Sequence, residues 1–116
     1  MIIRRKEIEI QFLALQTLKL CPSSQGAEFK AGFAAFVECF FQDLDYCSDA
    51  FTDRNGYFDV ELSVVLDLSL GTVESFLKRM PLEQRKNYWL GVMASVEASE
   101  QTLNFAFEVV ATNEAA

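Results

Sequence analysis

The groups able to do chemistry in this 116-residue chain are carboxylates and little else, for seventeen Asp and Glu stand against ten Lys and Arg and there is no histidine. The lack of histidine removes the commonest general base, the usual nitrogen ligand of metals and the side chain that changes charge near neutral pH. Cys21, Cys39 and Cys47 make an odd set without C-x-x-C spacing, and two of them lie in strongly apolar sequence. They read as buried free thiols rather than a disulfide framework or a zinc site. Carboxylates alone can hydrolyse glycosides when two of them face each other across a cleft. They can also bind calcium. Here Asp53, Asn55 and Gly56 fit the third, fifth and sixth places of a calcium loop, but Phe51 and Leu62 occupy the first and twelfth. The strongest oxygen ligands are therefore missing, and an ordinary turn explains the segment. No phosphate-binding glycine loop or nucleophile elbow is present. No metal, no cofactor and no enzymatic activity are expected.

What distinguishes the acids is their placement. Between residues 31 and 77, Glu38, Asp43, Asp45, Asp49, Asp53, Asp59, Glu61, Asp67 and Glu74 stand against Arg54 alone, whereas the whole chain carries a formal charge of −7. The elements that must position these acids follow from periodicity. From Gly26 to Ala50, Phe29, Phe33, Phe36, Val37, Phe40, Leu44 and Cys47 recur every three or four residues, the signature of one helical face. On that helix Glu38, Asp45 and Asp49 fall within about 20° of one line, separated by about 10 and about 6 Å along the axis. In the stretch from Tyr57 to Leu70, Phe58, Val60, Leu62, Val64, Leu66 and Leu68 alternate with Asp59, Glu61, Ser63 and Asp67, which predicts a half-buried strand. Asp59 and Glu61 would then lie about 6 to 7 Å apart on its wet face. These separations approach those between backbone phosphates.

The rest of the chain supplies the frame. Glu7 to Leu20 alternates and reads as a strand, with a helix left open because Leu13 and Leu15 interrupt the polar side. Cys21-Pro22-Ser23-Ser24 breaks this run, and either serine could cap the next helix. Asp53-Arg54-Asn55-Gly56 is a turn. Gly71-Thr72 opens a short helix to about Met80, with Val73, Phe76 and Leu77 inward and Pro81 closing it or opening another turn at Leu82 to Lys86. Tyr88 to Glu97 and Thr102 to Val110 read as a hairpin joined at Ala98-Ser99-Glu100-Gln101. The expected fold is one α+β domain over residues 1–116, a mostly antiparallel sheet with one long helix and one or two short helices packed on it. The cations Lys78, Arg79, Arg85 and Lys86 read as a solvated helix end. No signal peptide or stretch of 18 apolar residues is present, so a cytoplasmic monomer without membrane contact is expected.

A negative charge of this size argues against direct nucleic-acid binding and for a basic partner. In its small size, acidic balance, lack of histidine and central carboxylates Glu38, Asp45, Asp49, Asp59, Glu61 and Asp67, the chain resembles the bacterial DNA-mimic proteins, of the small type that binds the histone-like protein HU. The resemblance is one of character and covers the central half of the sequence. It implies a non-enzymatic protein whose carboxylates stand in for phosphates, dock on the DNA-binding surface of a basic protein and compete with DNA. The alternatives are an immunity- or antitoxin-type inhibitor of a basic enzyme, a small carboxylate enzyme, a small assembly subunit held by apolar surface, and an acidic face that serves solubility alone.

Overall fold

The computed structural model describes the backbone of residues 2–6, 10–51 and 57–115 and the side chains of residues 10–47 and 62–104. Its elements run β1 (Ile2–Lys6), α1 (Ile10–Leu18), α2 (Ala27–Phe51), β2 (Tyr57–Glu61), α3 (Leu62–Leu77) and α4 (Leu82–Ala115). The fold is a helical bundle and not the mostly antiparallel α+β sheet expected from the sequence. Among the described residues, sheet is confined to one antiparallel ribbon in which β1 pairs with β2, Ile2 opposite Glu61 and Lys6 opposite Tyr57. The longest dimension, 50 Å, is that of α4 itself, since 34 residues at about 1.5 Å each span that length.

The long helix α2 forms where the apolar period placed it. Phe33, Phe36, Val37, Phe40 and Leu44 are buried, Phe29 and Cys47 pack against the core from its margin, and Phe41 joins the buried set. Its start is set by Gly26, whose carbonyl oxygen accepts the first helical hydrogen bond from the Lys30 amide at 3.1 Å. Gly26, rather than Ser23 or Ser24, therefore occupies the capping position.

Three expected β elements, a strand, the second part of another strand and a two-stranded hairpin, are helical. In α1 the buried residues are Ile10, Leu13 and Thr17, flanked by partly buried Ala14 and Leu18. That is the i, i+3, i+4, i+7 pattern of a helix, and it leaves Phe12 and Leu15 outside. The strand expected from Tyr57 extends only through β2. From Leu62 onward the buried positions are Leu62, Val65, Ser69 and Val73, so Val64 and Leu68, expected to point inward, are 62% and 54% exposed. The helix expected from Gly71 is the second half of α3, with Val73 and Leu77 inward as expected but Phe76 exposed. The third correction is the hairpin. Tyr88, Val92, Ser95, Ser99 and Leu103 are buried along one unbroken α4, and its expected connection, Ala98-Ser99-Glu100-Gln101, contains no glycine, proline or asparagine to turn the chain. The turn at 53–56 lies outside the described residues, as do the side chains of Phe105, Phe107 and Val109.

The helices are joined by specific contacts as well as by apolar packing. Thr17 on α1 and Thr102 on α4 place their hydroxyl oxygens 2.8 Å apart inside the bundle. Ser69 on α3 donates to Asp43 Oδ2 on α2 at 2.8 Å. The connection from α3 to α4 is tied by Arg85, whose Nε donates to the Met80 carbonyl at 2.8 Å and whose Nη2 donates to the Lys78 carbonyl at 3.0 Å. Carbonyls just past a helix end lack helical partners and attract cations. The basic cluster expected at a helix end thus includes a cation that closes that end.

Candidate functional site

The geometry of α2 sorts its acids between two flanks. Side chains on a helix rotate by about 100° per residue, which sets Glu38 and Asp45 about 140 to 160° from Asp43. Asp43 reaches α3 through Ser69. Glu38 and Asp45 are exposed on the side where α1 packs, and both line hollows shared with that helix. One hollow of ≈ 410 Å³ is lined by Ile10, Gln11, Phe12, Leu15 and Asp45. Beside it a second, of ≈ 220 Å³, is lined by Ile10, Gln11, Ala14, Glu38, Phe41, Gln42 and Asp45. Because they share Ile10, Gln11 and Asp45, the two form one groove along the seam of α1 and α2. Its lining mixes apolar Ile10, Phe12, Ala14, Leu15 and Phe41 with polar Gln11 and Gln42, and its α2 side carries the carboxylates Glu38 and Asp45, about 10 Å apart along the helix axis. Among the described residues no basic side chain lines either hollow.

Of the six carboxylates singled out from the sequence, the structure brings Glu38 and Asp45 together. Asp67 is exposed on α3, the helix held on the opposite flank of α2, so it does not extend the same row. Asp49 lies near the end of α2, and Asp59 and Glu61 lie on β2; the side chains of all three fall outside the described residues. The backbone register of the ribbon sets Asp59 across from Arg4 and Glu61 across from Ile2. The apolar half of the groove was missed from the sequence. Reading α1 as a strand put Phe12 on the buried side, whereas the helical set Ile10, Leu13, Thr17 leaves Phe12 53% and Leu15 59% exposed.

The opposite flank holds the thiols. Cys39 and Cys47 are half-buried and free rather than fully buried, and they sit one turn to either side of Asp43. Burial first, and then the Asp43 carboxylate, push both thiols above their ordinary value of 9.0, with Glu38 adding to the shift at Cys39. Tyr88 of α4 is likewise pushed above 10.0, by burial and by the neighbouring Cys39. Groups in this state are poor nucleophiles, because the reactive thiolate is scarce at neutral pH. Asp43→Asn removes one of the charges that disfavours the thiolate and keeps an oxygen to accept from Ser69. Alkylation of Cys39 and Cys47 by iodoacetamide at pH 8 is expected to run about two- to fivefold faster in the folded variant than in the parent. An unchanged rate would mean that burial alone controls these thiols. A raised thiol pKa in the folded state also means that the unfolded chain loses its protons first, so stability falls as pH rises above 9.0.

Among the described residues no cluster of three or more His, Cys, Asp or Glu could hold a metal ion, and no helix is long and apolar enough to cross a membrane. Compared with known proteins, the chain matches no family model, no curated protein in sequence and no solved structure in fold.

Proposed function

We propose that this chain is a cytoplasmic, non-enzymatic binding protein that engages the DNA-binding surface of a basic protein, such as a histone-like protein of the HU type, and competes with DNA for it. The observation that carries this reading is the pair Glu38 and Asp45, both exposed on one flank of α2, within a stretch, residues 31 to 77, that contains Arg54 as its single cation. A rigid helix fixes the interval between two carboxylates, and a fixed interval between negative charges is what a DNA-gripping surface is built to meet.

Exposed charges are screened over about 8 Å at physiological ionic strength, so the complex should weaken steeply with salt. The direct test titrates the purified protein into a fluorescent complex of an HU-type protein and duplex DNA, then repeats it with Glu38→Lys/Asp45→Lys. The parent is expected to displace DNA at low salt, and the double reversal to weaken that displacement about tenfold or more, since two attractions become two repulsions. Both substituted positions are exposed, so circular dichroism should show an unchanged helix content. A folded double variant that displaces DNA as well as the parent does would end this reading.

A further inference from the structure

The helix α4 carries two seams. Tyr88, Val92, Ser95, Ser99 and Leu103 face the core. About 150° round the helix, Lys86, Leu90, Met93 and Glu97 are all exposed, Leu90 and Met93 standing half in solvent. Their steps of four, three and four residues are those by which one helix pairs with another in a coiled coil, and the four fall within about 60° of arc. The seam is held rigidly from behind, because Gly91 and Gly32 bring the backbones of α4 and α2 against each other. A seam fixed in this way loses little freedom when it is covered.

We infer that this outward seam of α4 pairs with the same seam of a second copy of the chain, the two helices running antiparallel. The order of charges selects that occupant. The seam reads cation, apolar, apolar, anion, and it is therefore complementary to itself reversed. A two-fold axis passing between residues 91 and 92 sets Lys86 opposite Glu97 of the second copy and Leu90 opposite Met93, each contact made twice. One alignment thus satisfies all four side chains. Glu83 and Gln101 meet across one flank, while Glu100 lies on the other. Parallel pairing would instead oppose Lys86 to Lys86 and Glu97 to Glu97, at a cost in repulsion. The paired stretch, residues 83 to 101, is about 28 Å long and about 10 Å wide, smaller than the roughly 800 Å² per partner of a stable complex. The dimer accordingly forms at high concentration and separates on dilution, and the monomer expected from the sequence is its dilute state. This association goes beyond the binding of a basic protein and does not rest on it, since Glu38 and Asp45 on α2 take no part.

Sedimentation equilibrium of the full chain from about 10 μM to about 1 mM tests the inference at about 20 mM and about 0.5 M salt, which screen the paired charges to different degrees. A monomer–dimer equilibrium is expected at low salt, weakened about threefold or more at high salt. Lys86→Glu and Glu97→Lys should each weaken it about tenfold or more, because both ion pairs become repulsions. An equimolar mixture of these two variants should recover dimers near the parent's strength, since every Glu again meets a Lys. General repulsion between chains of charge −7 makes the contrary forecast for Glu97→Lys, which lowers the net charge and would strengthen association. Leu90→Ala/Met93→Ala should weaken the dimer about tenfold or more and leave its salt dependence in place. All these positions are exposed, so helix content and urea midpoints should stay near those of the parent.

Four results would overturn the inference. A chain that stays monomeric at about 1 mM would leave the seam to a different kind of partner. Single charge reversals that dimerise as well as the parent, or a mixture of them that remains monomeric, would remove the antiparallel alignment. Self-association that withstands high salt and is lost with Phe12→Ala/Leu15→Ala rather than with Leu90→Ala/Met93→Ala would place the contact on α1.

Discussion

Replacing Gly91 with alanine is expected to destabilise the protein by about 1 to 3 kcal/mol, the cost of overpacking a tight contact. The opposite sign would follow from helix propensity alone, since alanine in a helix interior is favoured over glycine by about 1 kcal/mol. The decision rests on the crossing of α2 and α4. A Cβ on Gly91 would overlap the Phe29 carbonyl of α2, and a Cβ on Gly32 would overlap the Tyr88 carbonyl of α4. Glycine from each helix thus lets the other's backbone come against it, closer than side chains would permit. The overlapped atoms are backbone, which cannot rotate away as a side-chain end can. Either alanine must push the helices apart and loosen Phe33, Tyr88 and Val92, all buried beside the crossing. Gly32→Ala should behave alike, and the double variant should cost less than the sum, because one separation relieves both overlaps. Gly71 supplies the control: it lies in α3 with nothing within 4 Å of its added Cβ, so Gly71→Ala should stabilise by about 0.5 to 1 kcal/mol. Urea midpoints of the four variants decide the matter. A stabilised Gly91→Ala would show that α2 and α4 do not cross this closely in solution.

The same crossing explains why part of the fold was legible in the sequence and part was not. The α2 helix was legible because its buried face is made of large residues, Phe33, Phe36, Phe40 and Leu44, whose spacing admits one period. The buried face of α4 includes Gly91, Ser95, Ala98 and Ser99, small residues that carry no hydropathy signal. With the signal reduced to Tyr88, Val92 and Leu103, the large residues on its other faces, such as Leu90 and Met93, created the semblance of alternation. In α1 and α3 two periods coexist in the same letters. Ile10, Phe12, Ala14 satisfy alternation while Ile10, Leu13, Thr17 satisfy the helix, and only the second set includes the polar Thr17 that finds a partner in Thr102. A threonine whose hydroxyl is satisfied inside the bundle, by the Leu13 carbonyl of its own helix and by Thr102 of another, cannot be recognised as core from its own type.

The site was legible in the same uneven way. Glu38 and Asp45 were placed correctly on one line because α2 was placed correctly. Asp67 was joined to them on the assumption of a strand, and α3 carries it to the other flank instead. The apolar wall was hidden because an exposed Phe12 is indistinguishable by type from a buried one; what exposes it is the helical rotation of α1. A charge pattern therefore located half of the groove, and the other half depended on a tertiary contact that fixed which face of α1 turns inward.

The largest loss of stability is expected at Phe40, and it separates the two sides of α2. Phe40 is 0% exposed; its ring stacks on Phe36 with centroids 5.6 Å apart and 10° between planes, and meets Phe41 edge-on at 5.1 Å and 78°. Phe40→Ala removes the ring from between two neighbours that are themselves held by the helix, so the space closes poorly and the cost should reach about 3 to 5 kcal/mol. Against a total of about 5 to 15 kcal/mol for a domain of this kind, that leaves a marginal fold. Phe12→Ala removes the same side chain from a half-exposed position and should cost under about 1 kcal/mol, because little of its surface returns to water. Equal destabilisation by the two phenylalanine substitutions in thermal melts would place Phe12 in the core and contradict the rotation of α1 on which the groove depends.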